Sequence, residues 1–93
     1  LKAVIKTIWI FHEEAARFAG GVFETLEMAE DWIKKHQLSG LLTAYPLNKG
    51  VYDWALENGL FKIKKDNHRE SKFIGGFTTA EQDHYHFENG SRE

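Results

Sequence analysis

Strands and helices are interspersed along the 93 residues with too little chain between them for several parallel crossovers, and the sequence therefore predicts the α+β class. Three segments carry that prediction. Residues 4–11 form a nearly continuous run of β-branched and aromatic side chains, residues 26–36 show a helical apolar arc, and residues 83–88 alternate strictly. The expected architecture is a small, mostly antiparallel sheet in the order β-β-α-β-α-β-β with two helices packed on it. Residues 1–90 make a single domain, and 91–93 a C-terminal tail.

The first strand runs from Val4 to Phe11, and its continuity (Val4, Ile5, Ile8, Trp9, Ile10, Phe11) predicts a mid-sheet position with both faces covered. A polar loop and Gly20-Gly21 lead to a short strand at Val22 and Phe23, most simply the partner of the first in an antiparallel hairpin. Thr25 is placed to cap a helix, with Glu27 in its first turn. At 100° per residue, Leu26, Met28, Ala29, Trp32, Ile33 and His36 share one arc, and Glu27, Glu30, Asp31 and Lys34 take the other side.

Leu41 to Leu47 reads as a strand, with Pro46 at an end or edge because it lacks a ladder donor. Asn48-Lys49-Gly50 turns the chain into a second helix, Val51 to Asn58, with Gly59 as its cap. Leu60 to Ile63 reads as a further short strand and Asp66 to Lys72 as a polar loop. Asp83 to Glu88 reads as a strand, with Tyr85 and Phe87 on one face. Thr78…Glu81 and Thr79…Gln82 match the capping-box pattern of a helix start, but a helix would set Tyr85 opposite Phe87 and spoil any apolar stripe.

Composition excludes several functions. Twelve Lys and Arg against fourteen Asp and Glu leave a net charge of −2, so the chain lacks the basic footprint of a polyanion binder. No apolar run approaches the roughly 18 residues of a membrane span, and no signal-peptide pattern occurs. The absence of cysteine removes disulfides, thiolate catalysis and cysteine zinc sites. The expectation is a cytoplasmic domain without a cofactor.

No motif with a strong chemical signature is present. Neither Gly20-Gly21 nor Gly75-Gly76 continues into a phosphate-binding loop. His12-Glu13-Glu14-Ala15-Ala16 starts like a zinc-peptidase helix, but Ala16 stands where the second histidine belongs. The most chemical pattern is His84-Tyr85-His86-Phe87-Glu88. On a strand, His84, His86 and Glu88 share a face and are the candidates for a metal site or acid–base pair, joined by His12 if the first and last strands are neighbours. The plainer reading is a solvated polar face.

Charge is unevenly distributed. Glu13, Glu14, Glu24, Glu27, Glu30 and Asp31 face only Arg17 between residues 13 and 31, whereas Lys62, Lys64, Lys65, Arg69 and Lys72 cluster later. The acidic stretch is the candidate surface for a basic protein partner, with Trp54 as an aromatic anchor. The basic stretch lacks interleaved aromatics for nucleic acid. A homodimer formed through a sheet edge or Trp54 is the third reading.

The series Trp9-Ile10-Phe11-His12, Ala29-Glu30-Asp31-Trp32-Ile33, Leu38-Ser39-Gly40-Leu41-Leu42-Thr43-Ala44-Tyr45-Pro46, Gly50-Val51-Tyr52-Asp53-Trp54-Ala55 and His84-Tyr85-His86 resembles a family of small bacterial proteins of unknown function. The resemblance implies a compact, stand-alone cytosolic domain and carries no catalytic residue with it. By analogy, small acidic proteins of this kind look like immunity partners that neutralise toxins. A non-catalytic binding module of that type is the expected function.

Overall fold

The computed structural model describes residues 6–93. Val4 and Ile5, expected at the start of the first strand, lie outside the described residues. The strands are β1 (Thr7–Glu13), β2 (Gly21–Phe23), β3 (Gly40–Pro46), β4 (His84–Glu88) and β5 (Ser91–Arg92), and the helices α1 (Leu26–His36), α2 (Val51–Glu57) and α3 (Ser71–Gly75). They form one five-stranded sheet in the order β2-β1-β3-β4-β5, antiparallel at every pairing. The α+β class and the interior position of β1 follow the sequence.

The register places alternate residues of β1 on opposite faces. Trp9, Phe11, Leu42, Tyr85 and Phe87 look toward α1, whose Ala29 and Ile33 complete a core with Phe11, Leu42 and Phe87. All five of those core side chains are at most 3% exposed, and each large one contributes about 1.5–3 kcal/mol by leaving water. Trp9 and Tyr85 stack across β3, centroids 5.8 Å apart, where Ala44 is small enough to let them meet. The Thr25 hydroxyl accepts the Met28 N–H at 3.1 Å, as its capping position requires, and α1 ends at Gln37 with φ 51. Gly40 belongs to the core for steric reasons: a Cβ there would stand 2.1 Å from the His12 carbonyl oxygen.

Three expectations about the elements change. Leu60–Ile63 joins no strand, because the Phe61 ring turns into an aromatic cluster with Tyr52, His68, Phe73 and Phe77. That cluster also orders the expected loop at Asp66–Lys72, which carries a 3₁₀ turn (Asp66–Arg69) and the start of α3, so there are three helices rather than two. Residues 84–88 are the expected strand, despite the capping-box pattern before them. The Gln82 side chain does accept the Thr79 N–H at 3.0 Å, but its amide donates to the Ala44 carbonyl and ties the segment to β3 instead of starting a helix. Finally, Ser91–Arg92, expected in a tail, pair with β4 through a turn at Asn89-Gly90, both with positive φ.

The molecule measures 43 × 35 × 20 Å, with a radius of gyration of 14.7 Å against about 12 Å for a spherical domain of this length. Sheet and α1 account for the 20 Å thickness. On the far side of β1, Ile8 and Ile10 are half-exposed, so the expectation that both faces of this strand are covered is met fully on the α1 face only. No helix among the described residues is long and apolar enough to cross a membrane.

Candidate functional site

The six candidate acids are divided by the fold. Glu13 and Glu14 lie at the end of the sheet where α1 terminates: the Glu14 N–H donates to the Ser39 carbonyl, and a Glu13 carboxylate oxygen accepts the Ala15 N–H. Glu24 and Glu27 lie at the other end of α1, about 15 Å away by the rise of an eleven-residue helix. Two of the six are already engaged. Glu24 pairs with Lys6 at 2.6 Å, and Glu30 receives both arms of Arg92 at 2.6 and 2.9 Å. The Lys6 ammonium, through its hydrogen bond and its charge, holds the Glu24 carboxyl below the ordinary glutamate range. The Glu30 hydrogen bond raises the Arg92 guanidinium further above its usual value. Glu27 and Asp31 remain exposed, one turn apart on the outer side of α1.

Trp54, the expected anchor, is half-buried on α2. The large apolar side chains most open to solvent are elsewhere: Phe18 at 74%, Val22 at 65% and Met28 at 58%. Met28 sits one turn before Trp32, which packs on Phe23 of β2, so it points to the β2 side of α1. Phe18 is two residues before Gly20, whose N–H donates to the Phe11 carbonyl beside β2. Phe18 and Met28 therefore gather around β2 and the first half of α1, together with Glu27 and Asp31, whereas Val22, paired with Ile10, points to the sheet face away from α1. Sequence reasoning missed Met28 by placing it on the apolar arc. Phe18 had a readable signal, an aromatic residue inside the polar, glycine-flanked loop between the first two strands.

The histidines occupy the sheet face away from α1. His84 and His86 share that face as a strand requires, with ring centroids 5.7 Å apart. Nδ1 of His84 donates to the Gln82 carbonyl at 2.7 Å, which leaves Nε2 as the outward nitrogen. His12 does not neighbour them. It pairs across from Leu41, and Leu41 in turn from His86, so β3 separates the two imidazoles by two strand spacings, or about 9.6 Å of backbone. His12 and His86 do line one groove of about 300 Å³ with Glu13, Glu14 and Glu93, but Glu88 is not in it. Among the described residues, no three His, Asp or Glu side chains are placed to hold one metal ion.

The basic stretch is wrapped around the aromatic cluster rather than lacking aromatics. Lys62 and Lys64 share a groove with Phe61 and His68, and Lys72 shares another with Phe73 and Phe77. These rings are half-buried against one another, with Tyr52 buried beneath them.

Comparison with family models decides the relationship of this chain. It belongs to a family described as a domain of unknown function, DUF7710. The match covers residues 8–93 and so takes in every described strand and helix except Thr7 of β1, with β5 among them, which fits the hairpin seen at Asn89-Gly90. Neither the curated proteins nor the solved structures returned a match.

Proposed function

We propose that this DUF7710 domain is a non-catalytic protein-binding module that docks a basic partner on the side built by β2 and α1. The observation that carries the reading is the pairing of exposed apolar side chains (Phe18, Met28) with open carboxylates (Glu27, Asp31) beside a helix whose opposite side is fixed in the core. An interface needs both parts: apolar anchors that lose water on contact, and charge that steers encounter. The helix is seated through Ala29 and Ile33, so its backbone is already ordered and only the outer side chains lose freedom on contact. Glu24 and Glu30 act differently, as members of intramolecular ion pairs.

The finer form of this reading is an immunity-type role in which the basic partner is a toxin domain. Its support is the acid-rich segment from Glu13 to Asp31. Replacing Glu27 and Asp31 together with Lys is expected to slow association with the partner about tenfold at low salt and to flatten the salt dependence. Met28→Asp is expected to accelerate dissociation instead. Unchanged kinetics in both variants contradict the reading.

A second reading has one observation in its favour, the shared groove of His12, His86, Glu13 and Glu14. It assigns acid–base chemistry to that groove and predicts a reaction lost in both His12→Gln and His86→Gln while partner binding persists.

A further inference from the structure

We infer that the groove formed by Gly59, Leu60, Phe61, Lys62, Lys64 and His68 is a binding site for a small phosphate monoester with an apolar or planar body. The groove measures about 320 Å³, within the range of small-ligand sites, and no carboxylate lines it.

His68 is the residue from which the inference starts. Its ring stacks on Phe73, with centroids 4.7 Å apart and 25° between the planes, and leans on Phe61 at 5.2 Å. Its Nδ1 accepts the Lys64 N–H at 3.1 Å. Accepting at Nδ1 places the hydrogen of the neutral ring on Nε2. Two aromatic neighbours and one hydrogen bond therefore hold an imidazole whose other nitrogen is a donor, and among the described residues no hydrogen bond uses that donor. A ligand that accepts from Nε2–H meets a side chain that is already oriented.

Charge selects the ligand. Lys62 and Lys64 are exposed, and neither takes part in an ion pair among the described residues. Lys62, Lys64, Lys65, Arg69 and Lys72 stand against only Asp66 and Glu70 in this segment, in a chain whose net charge is −2, so positive potential is concentrated here. Two ammonium groups and one N–H match the roughly two negative charges and three terminal oxygens of a phosphate monoester. Leu60, 38% exposed, and the Phe61 ring give the groove an apolar wall, against which the body of the ester loses water. A single-stranded nucleic acid would need open ring faces for its bases, and these rings are packed on one another. The inference does not rest on the acidic docking reading: the two surfaces share no residue, and either can fail alone.

Titration of the isotope-labelled full chain with phenyl phosphate, followed by amide NMR shifts at constant ionic strength, tests it, with inorganic phosphate and succinate as comparison anions. Lys62→Gln with Lys64→Gln removes the ammonium groups. His68→Asn keeps an acceptor for the Lys64 N–H and loses the Nε2 donor. Lys35→Gln with Lys65→Gln makes the same change of charge outside the groove and is the control. Because Lys62 and Lys64 are exposed, their double variant stays informative even if His68→Asn loosens the aromatic cluster. The expected result is saturable shifts centred on Gly59–Lys64 and His68, with phenyl phosphate bound more tightly than either comparison anion. Its dissociation constant should rise about tenfold in the Lys62, Lys64 variant and in a folded His68→Asn, as loss of a charge-assisted hydrogen bond implies, and stay unchanged in the control. Shifts that do not saturate overturn the inference, as do succinate or inorganic phosphate binding as tightly as the ester. So does an equal loss in the control, or parental affinity in either groove variant.

Discussion

Gly90 shows how much one residue decides in this chain. It sits at φ +89, its N–H donates to the Leu38 carbonyl, and an added Cβ would lie 3.1 Å from the Cα of Gln37. Gly90→Ala therefore strains the β4–β5 turn and pushes the hairpin off the end of α1. We expect a loss of about 1–3 kcal/mol in urea unfolding, from the left-handed backbone penalty and the displaced contact together. The next residues depend on that turn: it carries Arg92 to the Glu30 carboxylate and sets its guanidinium 3.9 Å above the Tyr85 ring. Asn-Gly is the signature of a two-residue hairpin turn, but the strand after it, Ser91–Arg92, is two residues long, too short for alternation to announce it. That is why β5 is hard to see in the sequence. The Lys6–Glu24 pair makes a separate prediction. Because the folded carboxyl titrates below its unfolded value, the pair's contribution is present above the unfolded pKa and lost as pH falls through the folded one. In Lys6→Met the Glu24 carboxyl should return to the ordinary glutamate range, read by side-chain NMR titration.

Among the elements, α1 is the one most completely written in the sequence. The Thr25 cap, the Ala29–Ile33 seam and the outward acids all follow from periodicity, and the structure uses each of them. Ile33→Ala, at a position with no exposure, is expected to cost about 2–5 kcal/mol. The segment from Leu60 to Phe77 is the opposite case. Only Phe73 and Phe77 stand at a helical spacing; Phe61 and His68 fit no period with them, and the convergence of the three phenylalanines on Tyr52 turns the segment into structure. Its rings are half-buried and its helices short, so it should open before the sheet does. Native-state hydrogen exchange is expected to give amides of α3 lower opening free energies than those of β1 and β3. Equal protection would mean that the aromatic cluster is part of one cooperative core.

At the scale of the whole molecule, the architecture separates surfaces that the linear sequence runs together. The acids between Glu13 and Asp31 look like one patch along the chain, yet the fold sends them to both ends of α1 and neutralises two in ion pairs. His12 and His86 are far apart in sequence and share a groove, while His12 and His84 are kept apart by β3, a consequence of strand order that no local pattern encodes. The β2–α1 side, where Phe18 and Met28 are exposed, is the surface the proposed binding role uses. The most direct test of the binding account is amide hydrogen exchange of the full chain, alone and with the basic protein it captures from the cell that encodes it. The account predicts new protection in the Phe18 loop, β2 and the first turns of α1, abolished in the Glu27→Lys, Asp31→Lys double variant. Protection confined to the groove between His12 and His86, or equally strong in that variant, would contradict it.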